Sequence, residues 1–583
     1  MSNLPSSRLR RSDVRKGSAF PAGTLIDFGA TPLASLIVGL LLSVSYSKAF
    51  AQTVAQPTAP RLGSIGGRVL DDSGQPLTAA IVRLSSVGVT TRGSLPTATT
   101  DGEGRFQFNN LSPGNYRFTI SERGLVMPEF AGFDPTYHLA YRLGDQATLN
   151  LVKGAIITGR VTSSSGEPLV AIEVQATRLR DASGKPVTFV SSRLTDDRGV
   201  YRLYGLPPGA YVVNTTKSSI STYDPSAFDG EAATFYPSAT RDTATELTLT
   251  QGEEASGIDI RHRGEFGRVI SGRLIGATGT QVKSVSLRLP GTQQVIAMTY
   301  VYADAVRSAF IFAGIVDGEY ELIARRGDGE DGGAASAPRK IVVKGADLTD
   351  IELSLAALAS ISGKLALEPF APTETIKCVA SRAWSAPEVL INAPRLDKAE
   401  NLFATTAANE QREFRVTGLD AGRYALTTLL PSEAWYVKAI TQESVTNGKR
   451  VAAPLRNALA LSGGQAATGF VITLAEGAAQ LSGSTAKRKL SATIYLVPAE
   501  PTAADDVWRY AEVPLRDDGA FQFKHLAPGK YWLLVLPDAS NGWSAYDATQ
   551  RAKLRQTAAK QGKEISLTPC QRMADISLSA SVP

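Results

Sequence analysis

Apolar and polar residues alternate with a period of two along most of the chain after about residue 60, the signature of strands that bury one face. One phrase built on that alternation recurs five times: an aromatic residue, any residue, an apolar residue, two residues, Leu or Ile, two residues, Gly, any residue, Tyr. It runs Phe106 to Tyr116, Tyr201 to Tyr211, Phe310 to Tyr320, Phe414 to Tyr424 and Phe521 to Tyr531, with ten positions between first aromatic and final Tyr in every copy. The phrase predicts two strands around a tight turn, a hairpin. In copies one, two and five Pro precedes Gly, as suits a type II turn with Gly at the positive-φ position.

A second phrase opens each repeat: Ile65-Gly-Gly67-Arg-Val, Ile157-Thr-Gly159-Arg-Val, Ile270-Ser-Gly272-Arg-Leu, Ile361-Ser-Gly363-Lys-Leu and the weaker Leu481-Ser-Gly483. A third closes it with a short alternating strand: Leu149 to Leu151, Ile258 to Ile260, Ile351 to Leu353, Phe470 to Ile472 and Ile576 to Leu578. Polar turns follow the first two openings (Asp72-Ser-Gly74, Ser164-Ser-Gly166), and acidic turns (Asp101-Gly102, Asp196-Asp197, Asp517-Asp518) enter the long phrase in copies one, two and five. Helical periodicity is confined to about Ala545 to Gln561. The expected class is all-β: a tandem array of about five Greek-key β-sandwich modules.

The modules are expected at residues 63–153, 154–263, 264–356, 357–477 and 478–583, behind a linker at 52–62. Almost no linker separates a closing strand from the next opening strand, so a stiff or gently bent rod is expected, roughly 150 Å end to end at about 3.3 Å per residue.

The first 51 residues read as a signal peptide: basic residues (Arg8, Arg10, Arg11, Arg15, Lys16), an apolar run from Leu33 to Val44, then Ala49-Phe50-Ala51, with cleavage expected after Ala51. The run is about 12 to 14 residues, short of the roughly 20 a spanning helix needs, and no later run is longer, so no membrane span is expected in the mature chain. Taking away the leader's six basic and two acidic residues leaves 55 Lys and Arg against 53 Asp and Glu. That balance, with no basic cluster after Gln52, argues against a nucleic-acid partner. The expected location is outside the cytoplasm, in the periplasm or on the cell surface. Only Cys378 and Cys570 are present; they can pair only if their modules fold back on each other with Cα atoms under about 7 Å apart.

The combination of Ile-x-Gly-Arg-Val, Asp-x-x-Gly-x-Pro-Leu and Phe-x-Phe-x-x-Leu-x-Pro-Gly-x-Tyr resembles the carboxypeptidase regulatory-like domain family. That family is similar to transthyretin-like, Cna protein B-type and starch-binding-like sandwiches. The resemblance implies a seven-stranded or similar sandwich appended to enzymes and surface proteins as a non-catalytic module, and it carries over no catalytic residue. Envelope proteins built largely of such repeats look similar to this chain.

Chemistry-bearing constellations are few. His262-Arg-Gly-Glu265 has the spacing of two zinc ligands, but it lies in a junction and the other histidines are His138 and His525; an exposed linker histidine is the plainer reading. His525 reads as structural. No nucleophile elbow or phosphate-cradling loop is present, and no cofactor or metal is expected. Loop aromatics are the remaining clue, because sugar rings stack on Trp and Tyr: Tyr223, Phe235 and Tyr236 in module two, Trp384, Trp435 and Tyr436 in module four, Trp508 and Trp543 in module five. They serve equally well as plugs of a sandwich end. The expected function is therefore an exported, non-enzymatic structural or interaction protein of the cell envelope, with an envelope protein as partner; the alternative is glycan binding through these aromatics.

Overall fold

The computed structural model describes residues 62–578 except 90–94, 123, 129–139, 217–227, 229, 277–282, 293, 302–307, 328–332, 371–377, 379–381, 398–402, 447–448, 486–491, 516–518 and 538–542. The leader, Tyr223, His138 and the acidic turn at Asp517-Asp518 lie outside the described residues.

In module one the opening strand Gly63–Leu70 is the centre of a sheet, antiparallel to Arg105–Leu111 on one side and parallel to the closing strand Gln146–Asn150 on the other. A second sheet has Ile81–Val87 between Thr97–Thr99 and Asn115–Ser121. Modules two and five repeat the plan. Ala155–Thr162 lies between Val200–Leu206 and the parallel pieces Glu254–Ala255 and Ile260–Arg261; Ala479–Thr485 lies between Ala520–Leu526 and Arg572–Leu578. In module three Ala334–Ser336 pairs with both Gly318–Arg326 and Leu348–Ala357 and so joins the two layers. The buried apolar residues gather in five main clusters, spanning 65–151, 155–260, 270–353, 359–474 and 479–578. A smaller sixth forms where the helix Ala548–Gln561, capped by Asp547, covers module five.

The recurring phrase is not a hairpin. Its two strands never pair with each other: Arg105–Leu111 joins the opening strand while Asn115–Ser121 joins Ile81–Val87 in the other layer, and copies two and five do the same. Alternating aromatics suit either geometry, because an arch between layers also turns one face of each strand into a shared core. The type II expectation also fails: Gly209 and Gly529 have φ near +149° and +144°, and Gly114 has no positive φ, whereas that turn needs about +80°.

What builds the arch is a left-handed residue just before the Leu or Ile. Asn110, Gly205, Gly314, Gly418 and His525 all have φ between +56° and +76°, at a bulge in the pairing with the opening strand. Four of the five are Gly or Asn, the types that reach this region at least cost.

The final Tyr closes the arch. Each phenol donates to the carbonyl four residues upstream: Tyr116 to Ser112 (2.6 Å), Tyr211 to Pro207 (2.6 Å), Tyr320 to Val316 (3.0 Å), Tyr424 to Asp420 (2.9 Å) and Tyr531 to Ala527 (2.7 Å). All five rings are buried while their acceptors lie on half-buried or exposed residues, so loss of the bond removes a partner from a partly sheltered carbonyl. Arg509 Nε also donates to Tyr531 Oη at 3.1 Å. Tyr531→Phe is expected to lower stability by about 1–3 kcal/mol in urea unfolding. Burial also raises the Tyr531 pKa; the stability tied to the protonated phenol is full below the ordinary value near 10 and is lost as pH rises above it.

The modules do not follow one another in a line. Ala407 N of module four donates to Gly88 O of module one at 2.9 Å, and Asn115 Nδ2 donates to Glu388 O at 2.9 Å. Arg382 pairs with Glu388 at 2.5 Å and approaches Asp145 of module one at 3.7 Å. Module one thus touches module four, a contact that the expected end-to-end rod does not allow. Length of linker, the basis of that expectation, limits freedom between neighbours but says nothing of contacts between distant modules.

Candidate functional site

The side chains with chemical potential lie at the seams between modules. At the seam of modules four and five, Cys378 and Cys570 form a disulfide with Cα atoms 5.1 Å apart. Around it Cys570 N donates to Gly477 O at 3.0 Å, Tyr546 Oη to Leu426 O at 2.6 Å, and Lys524 Nζ to Glu433 at 2.6 Å.

The loop aromatics are largely used here. Trp435 is buried in the module-four core, with Trp384 edge-on to it at 5.2 Å between centroids. Trp508 and Tyr546 of module five pack against that same core. Trp543 contacts Tyr495 at 5.4 Å beneath the helix of module five. Phe235 is buried in module two and Tyr236 packs on its core. Tyr436 is half-buried, and burial raises its phenol pKa. Trp384, Trp435 and Trp508 are therefore brought together at one seam, while Phe235, Tyr236 and Trp543 stand apart from them and from each other.

His262 is buried rather than an exposed linker residue. Its Nε2 lies 2.6 Å from Glu231 Oε2 and its Nδ1 3.0 Å from Thr215 Oγ1. Glu265 points elsewhere, to Arg263 at 2.7 Å, and is exposed. The pair at zinc-ligand spacing does not converge. A hydroxyl, an imidazole and a carboxylate in a row have the order of a nucleophilic triad, but Thr215 is 1 % exposed and accepts from Thr234 N at 3.1 Å. That hydroxyl offers no approach to a substrate; the row ties the loop before Thr234 to the junction leading into module three, where Gly267 N also donates to Gly230 O.

His525 combines two tasks. Its φ of +58° forms the arch of module five, and its Nδ1 donates to Trp435 O of module four at 2.9 Å. Burial lowers its pKa, with Lys524 and Arg142 adding repulsion against the opposing pull of Trp435 O and Glu433. The stability held by the neutral ring is complete above the ordinary histidine value of about 6.5 and is lost as pH falls below it. The thermal midpoint is expected to drop between pH 7 and 5, with a flatter slope in His525→Asn; Asn110 already fills the matching left-handed position in module one.

Three arginines escaped the sequence reading. Arg178, Arg395 and Arg509 each donate a guanidinium N–H to the carbonyl preceding the Gly of the long phrase: Pro208, Ala421 (2.7 Å) and Pro528 (2.9 Å). A Cβ on Gly209, Gly422 or Gly529 would stand within 3.0 Å of that guanidinium. A guanidinium can shift aside, so the firm demand for glycine is at Gly209, where a Cβ would also stand closer than 3.0 Å to the Arg180 carbonyl oxygen. No spacing signals this, since Arg178 precedes its glycine by 31 residues and Arg509 by 20.

Residues 64–151 and 156–260 match the sequence profile of the carboxypeptidase regulatory-like domain. The matched residues are the first two modules. The chain is also similar to the mouse BOS complex subunit NOMO1, 29 % identical over 206 residues that make up 33 % of this chain and 16 % of that protein. Among solved structures, the Bacillus anthracis TIE protein is 14 % identical with half of each chain covered and a TM-score of 0.13. The minor pilin GBS52 of Streptococcus agalactiae is 15 % identical over 34 % of this chain and 96 % of that one, with a TM-score of 0.18. The matched residues contain the opening glycines, the arches and the closing tyrosines of modules one and two, and modules three to five repeat the tyrosine-to-carbonyl bond.

Proposed function

We propose that this chain is an exported, non-catalytic scaffold of the cell envelope, a tandem array of five sandwich modules whose outer surfaces engage an envelope protein. The observation that carries the reading is the use of reactive side chains as mortar: the cysteines, the buried histidines, and Trp384, Trp435 and Trp508 are spent on contacts at module seams and junctions. Export is supported by the leader at residues 1–51 and by the Cys378–Cys570 disulfide, a bond that persists in oxidising compartments.

Fractionation of cells making the full chain tests the location: a mature N-terminus at Gln52 in the periplasmic or surface fraction is expected, and an uncleaved cytoplasmic chain would refute it. Cross-linking in the native envelope, followed by pull-down, is expected to capture an envelope protein. Labelling by a serine- or cysteine-directed activity probe would instead mark an enzyme.

Glycan binding, the alternative, is disfavoured at Trp508 and Trp543, whose indole N–H groups are buried out of reach of a ligand. Retention on a glycan matrix that disappears in Trp543→Ala would support it.

A further inference from the structure

One sheet edge in module three is left open. The strand Val295–Val301 ends its sheet and pairs on one side with Lys283–Arg288; among the described residues no backbone bond joins its other side. The matching outer strands of the other modules are guarded against such pairing. Thr97–Thr99 has three residues, Pro186–Leu194 begins with Pro and carries Arg193, and Ala511–Pro514 contains Glu512 and ends in Pro. Phe403–Ala407 is already used: Ala407 N donates to Gly88 O of module one, so an edge at this position does take backbone from another module. Val295–Val301 carries neither charge nor Pro. Leu287 faces Ala297 and Arg288 faces Val295, which makes Ile296 a bulge and leaves Ala297 to Val301 as the regular free edge, roughly 16 Å long. Ala297 and Thr299 sit opposite the buried Leu287 and Val285, whereas Met298 and Tyr300 sit opposite Ser286 and Ser284 on the outer face and are 46 % and 57 % exposed.

We propose that this edge joins a second copy of the chain, by antiparallel pairing about a two-fold axis at Thr299. An interface between identical edges sets any charge near its own mate, at a cost; this strand has no charge, and the neighbours of its outward side chains are serines. The same two-fold sets Met298 of one copy across from Tyr300 of the other, twice. Each pair is a sulfur–aromatic contact that covers two side chains otherwise left in water, and the backbone bonds run one sheet through both molecules. The edge is short, so a dissociation constant on the order of micromolar is expected. The inference is independent of the scaffold reading above, since it needs neither export nor an envelope protein.

Sedimentation velocity of the purified full chain from about 1 to 100 µM tests this. A concentration-dependent dimer is expected, weakened about tenfold or more in Met298→Lys and in Tyr300→Lys, each of which brings two lysines to the junction. Both positions face solvent, so the unfolding midpoints of these variants should stay at the wild-type value. Val190→Lys, at an exposed site on the guarded edge of module two, should leave the dimer unchanged. Mild oxidation of an equimolar mixture of Met298→Cys and Tyr300→Cys is expected to give a cross-linked pair of the two variants, which checks the register. A chain that stays monomeric to the top of the range, or a dimer that both lysine variants leave intact, overturns the assignment. So does a photoreactive residue at position 298 that captures another envelope protein and no second copy.

Discussion

Valine in place of Gly159 is expected to destabilise module two by about 4 kcal/mol or more, enough to unfold it in an otherwise intact chain. The cause is a backbone collision. A Cβ at this position would stand closer than 3.0 Å to the carbonyl oxygen of Ile258 in the closing segment, the acceptor of the Tyr201 hydroxyl. No rotamer relieves a clash between Cβ and a main-chain atom, so the parallel pairing of opening and closing strands must open. The same oxygen-to-Cβ conflict recurs at Gly67 with Ala147, Gly272 with Ile351, Gly363 with Phe470 and Gly483 with Ile576. Gly102, with no atom within 4 Å of its virtual Cβ, is the control: Gly102→Val should change stability by less than about 1 kcal/mol. Hydrogen exchange in the strand Glu173–Asp181 reads module two, and in Ile81–Val87 it reads the module-one control. Native protection in Gly159→Val would sink the argument.

Cys378→Ser is expected to cost several kcal/mol in module five. The disulfide closes 192 residues of chain, for which the chain-entropy argument gives about 5 kcal/mol. Its loss should lower the unfolding midpoint of module five and expose the seam to protease, and a reductant should lower the wild-type midpoint to that of Cys378→Ser while leaving the variant unchanged. A reductant-insensitive wild type would show that the seam's hydrogen bonds and aromatic packing hold without the bond.

Both effects bear on how far the sequence could be read. The opening glycines, the ten-residue interval from aromatic to Tyr, and the closing strands were legible because each is a local pattern repeated five times. The turns were legible too: Asp101 and Asp196 accept from backbone N–H groups two and four residues on. The helix was placed within three residues, at Ala548–Gln561. The arch was misread as a hairpin because period-two alternation reports which face is buried and not which strand is the partner. The sign that separates the two, Asn, Gly or His before the Leu or Ile, sat in positions treated as free. His262 reads as an exposed linker residue, and Trp435 as either a sugar contact or a plug, because a polar neighbourhood in sequence does not reveal that another loop or module covers it.

What the amino-acid sequence determined alone is the module: alternation dictates strands, glycine marks where two backbones close to contact, and Tyr four residues past a carbonyl closes the arch. These are interactions within about a hundred residues, carried by side-chain type and spacing. The tertiary structure decided which modules touch, that Cys378 reaches Cys570, and that His525 reaches the carbonyl of Trp435. Such contacts join residues of different modules, and they follow from the summed orientation of rigid modules, a quantity no local pattern encodes.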